Sequence, residues 1–402
     1  MSRLSGSALW FVVVRSSRMG VQFFAIFVLV RFYSPEWAGA MTLALAITAP
    51  VFIVCDLGLR TLATTIVGGV HYARILGIRA VTTLLALGLC LVGAGIPGPI
   101  GVMIPVMAVV KASDSFVELS LAPEQFRGRL ARIGILVLAS YGTAAVSLPM
   151  LAARASPSVA LWLGLALPTC LMAAVATAFG ITSSRSVPSL QVRGASLKAV
   201  LYAGAALGLS SGVFALGAGI PQYVLAWANS TVSAGRYAAI MYPVLGVEVI
   251  LNAAMHAWVP RGVKARTKVG PDNFQRELDS QSIRLSILFL PFATACTAVT
   301  HWALPVFLGP TYVVTPAELL FVWLILCFEP ALFLGATALQ IQNLYGLSLE
   351  TSVASAVTVG VISVFAVPTL GVLGALFATL VGVVVRILFM RVAARRSEAS
   401  AS

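Results

Sequence analysis

Twelve stretches of this chain are so apolar and so long that a membrane is their only reasonable solvent. They fall near 8–31, 38–66, 75–94, 99–119, 133–152, 159–181, 198–218, 236–259, 284–304, 317–338, 350–367 and 371–390, bounded by charged residues or Gly/Pro clusters. A helix rises 1.5 Å per residue, so ~20 residues cross a hydrocarbon core of about 30 Å. Lipid offers the backbone no hydrogen-bond partner, and a helix satisfies its own. In 402 residues, twelve spans leave roughly ten residues per connection, which excludes a large extramembrane catalytic or nucleic-acid-binding domain. Only 10% of residues are charged, against about a quarter in a soluble chain, and the mean hydropathy is +0.99. The expected fold class is an all-α polytopic membrane protein of about twelve transmembrane helices.

An even span count puts both termini on one side, and the basic residues say which. Of the 26 Lys and Arg, 18 lie in or beside 1–7, 67–74, 120–132, 182–197, 260–283, 339–349 and the tail 391–402, Arg79, Lys198 and Arg284 being counted with their neighbouring loops. Three (Arg31, Arg154 and Arg236) lie on the other side, and five (Arg15, Arg18, Arg60, Lys111 and Arg386) fall within spans. The positive-inside rule makes the first side, with both termini, cytoplasmic. The net charge of +13 is then mostly orientation, with some attraction to anionic lipid heads, and no nucleic-acid partner is needed.

The stretch 182–197 divides the chain into two six-helix lobes, expected as 1–190 and 191–402. A short echo supports a duplication: Ser34, Ala38 and Gly39 match Ser230, Ala234 and Gly235 at a constant offset of 196. Parallel repeats of this kind are common in transporters.

Metal and redox chemistry find little support. Cys55, Cys90, Cys170, Cys296 and Cys327 all sit in apolar runs without a C-x-x-C, as small hydrophobes in helix packing do. His71, His256 and His301 are isolated, so neither a metal centre nor a cofactor is expected. The apolar run at the N-terminus is interrupted by Arg15 and Arg18 and has no A-x-A site, which reads as a retained first helix and not a signal peptide.

Charges inside spans cost about 2.5–3.5 kcal/mol each on insertion scales, so each needs a reason. Arg15 and Arg18 are three apart on the first helix, and Asp56 and Arg60 four apart on the second, so each pair should share a face. Both pairs lie in the cytoplasmic half. Two readings are open: Asp56 pairs with one arginine while the others snorkel, or the group lines a polar cavity as a cationic patch. The surplus of about two positive charges favours the patch. Lys111, Asp114 and Glu118, at i, i+3 and i+7 on the fourth helix, read as mutual neutralisation near its cytoplasmic end.

On the eighth helix Glu248, Asn252 and His256 form a polar stripe, with Glu248 near the middle as a candidate for proton or cation coupling. Glu329, before Pro330 in the tenth, is a second candidate. Arg386, near the end of the twelfth, is expected to snorkel. Gly204, Gly208 and Gly212 on the seventh helix read first as close packing, with a bending helix as the alternative. Pro50, Pro105, Pro243, Pro291 and Pro330 interrupt spans and fit channels, transporters and membrane enzymes equally.

Three turns carry a resemblance. Arg31-Phe-Tyr-Ser-Pro-Glu-Trp-Ala-Gly39 followed by Asp56-Leu-Gly-Leu59 resembles the "R-x-x-G-P-E-x-x-G" turn and "D-x-G" helix end of the polysaccharide/oligosaccharide flippases. That family belongs to the multidrug/oligosaccharidyl-lipid/polysaccharide exporter superfamily. Leu304-Pro-Val-Phe-Leu-Gly-Pro-Thr-Tyr312 resembles its turn after the ninth helix, and Val367-Pro-Thr-Leu-Gly-Val-Leu-Gly-Ala-Leu-Phe-Ala378 its entry to the twelfth. The matches are in order along most of the chain, with Ser34 standing where the family has Gly.

The resemblance implies two lobes around a central cavity that opens alternately to either face of a bacterial cytoplasmic membrane. The implied cargo is an undecaprenyl-diphosphate-linked oligosaccharide, flipped from inner to outer leaflet. Membrane lipid and other polysaccharide-assembly membrane proteins are the implied partners. Arg15, Arg18 and Arg60 would hold the diphosphate through charge-assisted bonds, with Asp56 orienting one guanidinium. Glu248 and Glu329 would serve ion coupling. Three other readings stand beside it: a cation-coupled multidrug exporter of the same superfamily, a membrane-embedded glycan polymerase or ligase, and a scaffold. The outer stretches 219–235 and 305–316 contain no Asp, Glu, His or Lys, which counts against the enzyme.

Overall fold

The computed structural model describes residues 2–60, 71–127, 129–187, 197–269, 271–342 and 344–399. Side chains within helices are described except at 2–8, 11, 126, 197–200, 203, 253–279, 340, 345 and 393–399. The described residues are almost entirely helical and contain no strand. Among the described residues, twelve helices are long and apolar enough to cross a membrane. They are α1 (Ser2–Phe32), α2 (Pro35–Asp56), α3 (Tyr72–Val92), α4 (Pro99–Phe126), α5 (Leu130–Ala152), α6 (Pro157–Ser184), α7 (Leu197–Ala228), α8 (Thr231–Val269), α9 (Pro271–Leu308), α10 (Pro316–Ile341), α11 (Tyr345–Leu370) and α12 (Val372–Ala399).

The chain falls into two compact units, Met1–Ala215 and Leu216–Ser402. The lobe limit expected at 190/191 lies outside the described residues. In the first unit α4 is the central helix, packed on α2, α3 and α6, while α1 lies on α5. The apolar window of α4 is 67% buried, more than that of any other span. In the second unit α11 packs on α12, and α10 packs on α8, α9 and α12. The offset of 196 recurs in the fold, because α2 starts directly after Ser34 and α8 directly after Ser230.

Helix α2 does not continue to residue 66 as its apolarity suggests. It stops at Asp56, where Leu57 (φ 50°) and Gly58 (φ 53°) both take the left-handed conformation. Glycine adopts that region without penalty, and a leucine there is rare. The turn packs tightly: a Cβ on Gly58 would lie 3.2 Å from the Leu207 side chain. Residues 61–70, which include the rest of the expected span, lie outside the described residues. The turn after α9 also relies on a glycine at positive φ, Gly309 at φ 88°, with Tyr312 fully buried behind it.

Glycines on α7 let it approach α2 closely. A Cβ on Gly208 would lie 2.7 Å from the Val54 carbonyl oxygen, and one on Gly212 would lie 2.1 Å from the Val54 side chain. The packing reading of this glycine run therefore holds at both positions. In α6 a π-helical turn, Trp162–Ala166, precedes Pro168. Proline has no N–H for the carbonyl four residues back, and the Ser147 hydroxyl of α5 donates to that Gly164 oxygen at 3.1 Å instead.

Candidate functional site

Charged side chains of the first unit meet around α4. Glu118 lies at the centre. Its Oε1 accepts from Arg15 Nη2 at 2.8 Å and from Arg60 Nη1 at 3.0 Å, and its Oε2 is 3.6 Å from Arg18 Nη2. One turn earlier, Asp114 pairs with Arg18 Nε at 3.2 Å and accepts from the Tyr141 hydroxyl of α5 at 2.8 Å. Lys111, a further turn back, interacts electrostatically with Asp114 and Arg18. The three residues of α4 were expected to neutralise one another. The carboxylates are instead shared with arginines from α1 and from the segment after α2, because α4 is the helix that its neighbours surround.

Asp56 departs further from expectation. It takes no bond from Arg15, Arg18 or Arg60. The Arg79 guanidinium of α3 and the Ser115 hydroxyl of α4 both donate to its Oδ1, and Arg79 also donates to Ser115 Oγ at 3.0 Å. The left-handed turn at Leu57–Gly58 is the cause. It rotates Arg60 away from the Asp56 face and aims it at Glu118 and at Gln125 Oε1, 3.2 Å away. Arg79, counted by sequence with the cytoplasmic loops, is only 1% exposed and is the member that sequence reasoning missed. Its position one turn inside an apolar run was the available signal.

Five cationic side chains thus face three carboxylates, a local excess of two positive charges among the described residues. The network is not sealed. The Arg15, Arg18 and Arg60 side chains are 25%, 20% and 15% exposed, while that of Asp114 is 4% exposed. Asp114 is thus fixed from inside the helix packing, and Arg15, Arg18 and Arg60 keep an accessible face, as does Asp56 at 29%. Such a set can bind an anion with several oxygens, since each guanidinium presents donors in a planar fork.

The second unit carries the opposite balance. Glu248 of α8 and Glu329 of α10 both lie within electrostatic reach of Arg386 of α12. Arg386 does not snorkel. It is buried in the packing of the unit and donates to Ser352 Oγ of α11 at 3.3 Å. Glu329 is 2% exposed, and its Oε2 has no hydrogen-bond partner among the described residues. Two acids stand against one arginine, a formal balance of one negative charge among the described residues. The side chain of His256 lies outside the described residues. At the repeat offset, Asp56 and Arg60 align with Asn252 and His256, so the first unit's ion-pairing positions lose their fixed charges in the second.

Among the described residues, no three His, Cys, Asp or Glu side chains are grouped to hold a metal ion. The ion pair of Arg236 with Glu318, at 2.7 Å, belongs to the fold: the same carboxylate caps the start of α10 by accepting from the Thr315 N–H at 2.8 Å.

No family model matches the chain, and no curated protein does. Solved structures do. An outward-facing multidrug resistance MATE family transporter of the MOP superfamily is similar at a TM-score of 0.68 and 13% identity, over 99% of this chain and 96% of that one. An inward-facing structure of such a transporter gives 0.65 and 13%, over 95% of each chain. A MOP superfamily transporter from Pyrococcus furiosus, whose binding pocket is described as having reverse polarity suggesting a different function, gives 0.60 and 14%, over 99% and 96%. At these identities the likeness establishes the fold: twelve spanning helices in two six-helix lobes.

Proposed function

We propose that this protein is an alternating-access exporter of the bacterial cytoplasmic membrane. Its cargo is a polyprenyl-diphosphate-linked oligosaccharide, moved from the inner to the outer leaflet for cell-surface polysaccharide synthesis. The observation that carries the reading is the excess of positive charge in the first-lobe cluster, presented by Arg15, Arg18 and Arg60, the three arginines of that cluster that retain exposed faces. A diphosphate is the part of such a cargo that lipid will not solvate, and guanidinium groups in a low-dielectric setting bind it most strongly. Neighbours of the same fold are captured facing inward and facing outward, which supports a rocking mechanism. The buried acids Glu248 and Glu329 are the places where a proton or another cation would couple to the movement, with Arg386 as their resident countercharge.

A second reading has its own support. The fold neighbours described by what they transport are multidrug transporters, so fold likeness taken alone favours drug export over glycan flipping. Charge favours the reverse, since a cationic drug would meet a positive first lobe. The Pyrococcus furiosus neighbour supports the view that pocket polarity, and not this fold, selects the cargo.

Deletion separates the two readings. Loss of the protein should leave a lipid-linked oligosaccharide accumulating on the cytoplasmic leaflet without a change in drug sensitivity. Increased drug sensitivity with normal surface glycan would replace this reading with the second.

A further inference from the structure

Glu118 differs from the other two carboxylates of the first-lobe cluster in what holds it. Asp56 accepts from the hydroxyl of Ser115 as well as from Arg79, and Asp114 accepts from the hydroxyl of Tyr141 as well as pairing with Arg18. Each is tied into the helix packing by a neutral donor. The recorded partners of Glu118 are arginines, and they are the same three that the proposed function assigns to the cargo. Its side chain is 15% exposed, between Asp114 at 4% and Asp56 at 29%, so it is the kind of partner, and not exposure, that sets it apart. Glu118 therefore presents two anionic oxygens where a phosphate would have to bind, on a side chain long enough to swing aside.

From this geometry we infer that Glu118 is an exchangeable internal counter-anion. In the empty protein it occupies the guanidinium groups of Arg15, Arg18 and Arg60 and keeps them from repelling one another. Diphosphate oxygens arriving with the cargo displace it, and it returns as the cargo leaves. The inference rests on the anionic-cargo reading and adds a specificity device to it. An anion must offer these arginines more than one carboxylate already does, so monoanions and weakly charged lipids are rejected while a diphosphate is accepted. Without Glu118 the site would hold its anion longer and discriminate less, because specificity is a difference between two affinities.

The test is direct binding to purified full-length protein in detergent, by calorimetry, with two probes: farnesyl diphosphate and inorganic pyrophosphate. Wild type is compared with Glu118→Gln and Glu118→Asp. Glu350→Gln, at an exposed acid on α11, serves as a control for net charge. Glu118→Gln should bind both probes about tenfold more tightly, equivalent to about 1.4 kcal/mol of removed competition. Glu118→Asp should move the same way by less, since its carboxylate is withdrawn by one methylene, and Glu350→Gln should not move.

Weaker or unchanged binding in Glu118→Gln overturns the inference and makes Glu118 an organiser of the arginines. If that variant does not fold, the same outcome in Glu118→Asp decides it. Equal tightening in Glu350→Gln, or tightening for farnesyl diphosphate alone, also overturns it, because the effect would then be general charge or the tail. Failure of both wild type and Glu118→Gln to bind either probe removes the anionic-cargo reading itself. Binding by wild type that is lost in Arg15→Gln and weakened in Glu118→Gln removes only the inference.

Discussion

Asp56 and Arg60 stand four residues apart and share no partner: Asp56 is held by Arg79 and Ser115, and Arg60 by Glu118 and Gln125. The break between them is the left-handed pair Leu57–Gly58. That one turn splits the first-lobe charges into an ion pair anchored on the buried Arg79 and a cluster of arginines gathered on Glu118. The two parts should respond differently to mutation.

Arg79→Gln should damage the fold more than it damages any binding step. Removing one partner of a buried ion pair costs about 3–5 kcal/mol. Asp56, whose side chain is 29% exposed, retains some water, so about 2–3 kcal/mol is expected here. Thermal unfolding in detergent would register it, and the Asp56→Asn, Arg79→Gln double variant should recover part of the loss. A double variant less stable than either single one would mean that the pair is not the source.

Neutralising Arg15, Arg18 or Arg60 should abolish glycan export while leaving membrane insertion intact. In the triple Gln variant Glu118 is left without its three partners, so insertion is best checked with Glu118→Gln added. Complementation of a deletion strain, with membrane levels measured alongside, gives the answer. Full export by the triple variant would end the cationic-site idea.

The glycines of α7 allow a test of packing by compensation. Gly212→Ala collides with the Val54 side chain, so Val54→Ala should restore stability. Gly208→Ala meets the Val54 backbone oxygen, so the same second change should not rescue it. Overpacking of this kind costs about 1–3 kcal/mol, which is readable as a fall in Tm. Rescue of both, or of neither, would refute the geometry.

Gly58→Ala should destabilise by about 1–2 kcal/mol, since alanine in the left-handed region brings its Cβ against the following carbonyl. The change should also loosen the placement of Arg60, so anion binding should weaken along with stability. Stability lost with binding unaltered would show that Arg60 is positioned by its own ion pair and not by the turn.

Glu248→Gln and Glu329→Gln should leave anion binding in the first lobe unchanged and slow transport driven by an ion gradient. Flux in proteoliposomes, measured with and without an imposed proton or sodium gradient, reports this directly. Gradient-dependent flux that survives both substitutions together would remove these acids from coupling.

The motif glycines explain why the resemblance speaks to architecture before cargo. Gly58, Gly309 and Gly371 all have positive φ, so each motif marks a backbone turn that needs glycine at that place. None of the three turns contains Arg15, Arg18, Arg79 or Glu118. The candidate site was legible only in part. Intramembrane charge singled out Arg15, Arg18, Arg60, Glu248 and Glu329, because an apolar run makes any charge conspicuous. Arg79 stayed hidden because a basic residue near the cytoplasmic end of a span serves orientation equally well. Arg386 was misjudged for the same reason.

The number of spans, their lengths and the turn residues between them follow from the sequence by itself, because each depends on transfer of a local segment into lipid or on the φ of a single residue. Which charge meets which was decided by the tertiary structure. Arg15 reaches Glu118 across 103 residues of chain, and Arg79 reaches Asp56 across 23. These pairings depend on which faces of α1, α3 and α4 pack together and on where α2 stops. The average hydropathy of a span does not say how its helix is rotated against its neighbours, and that rotation places a guanidinium on one carboxylate and not another.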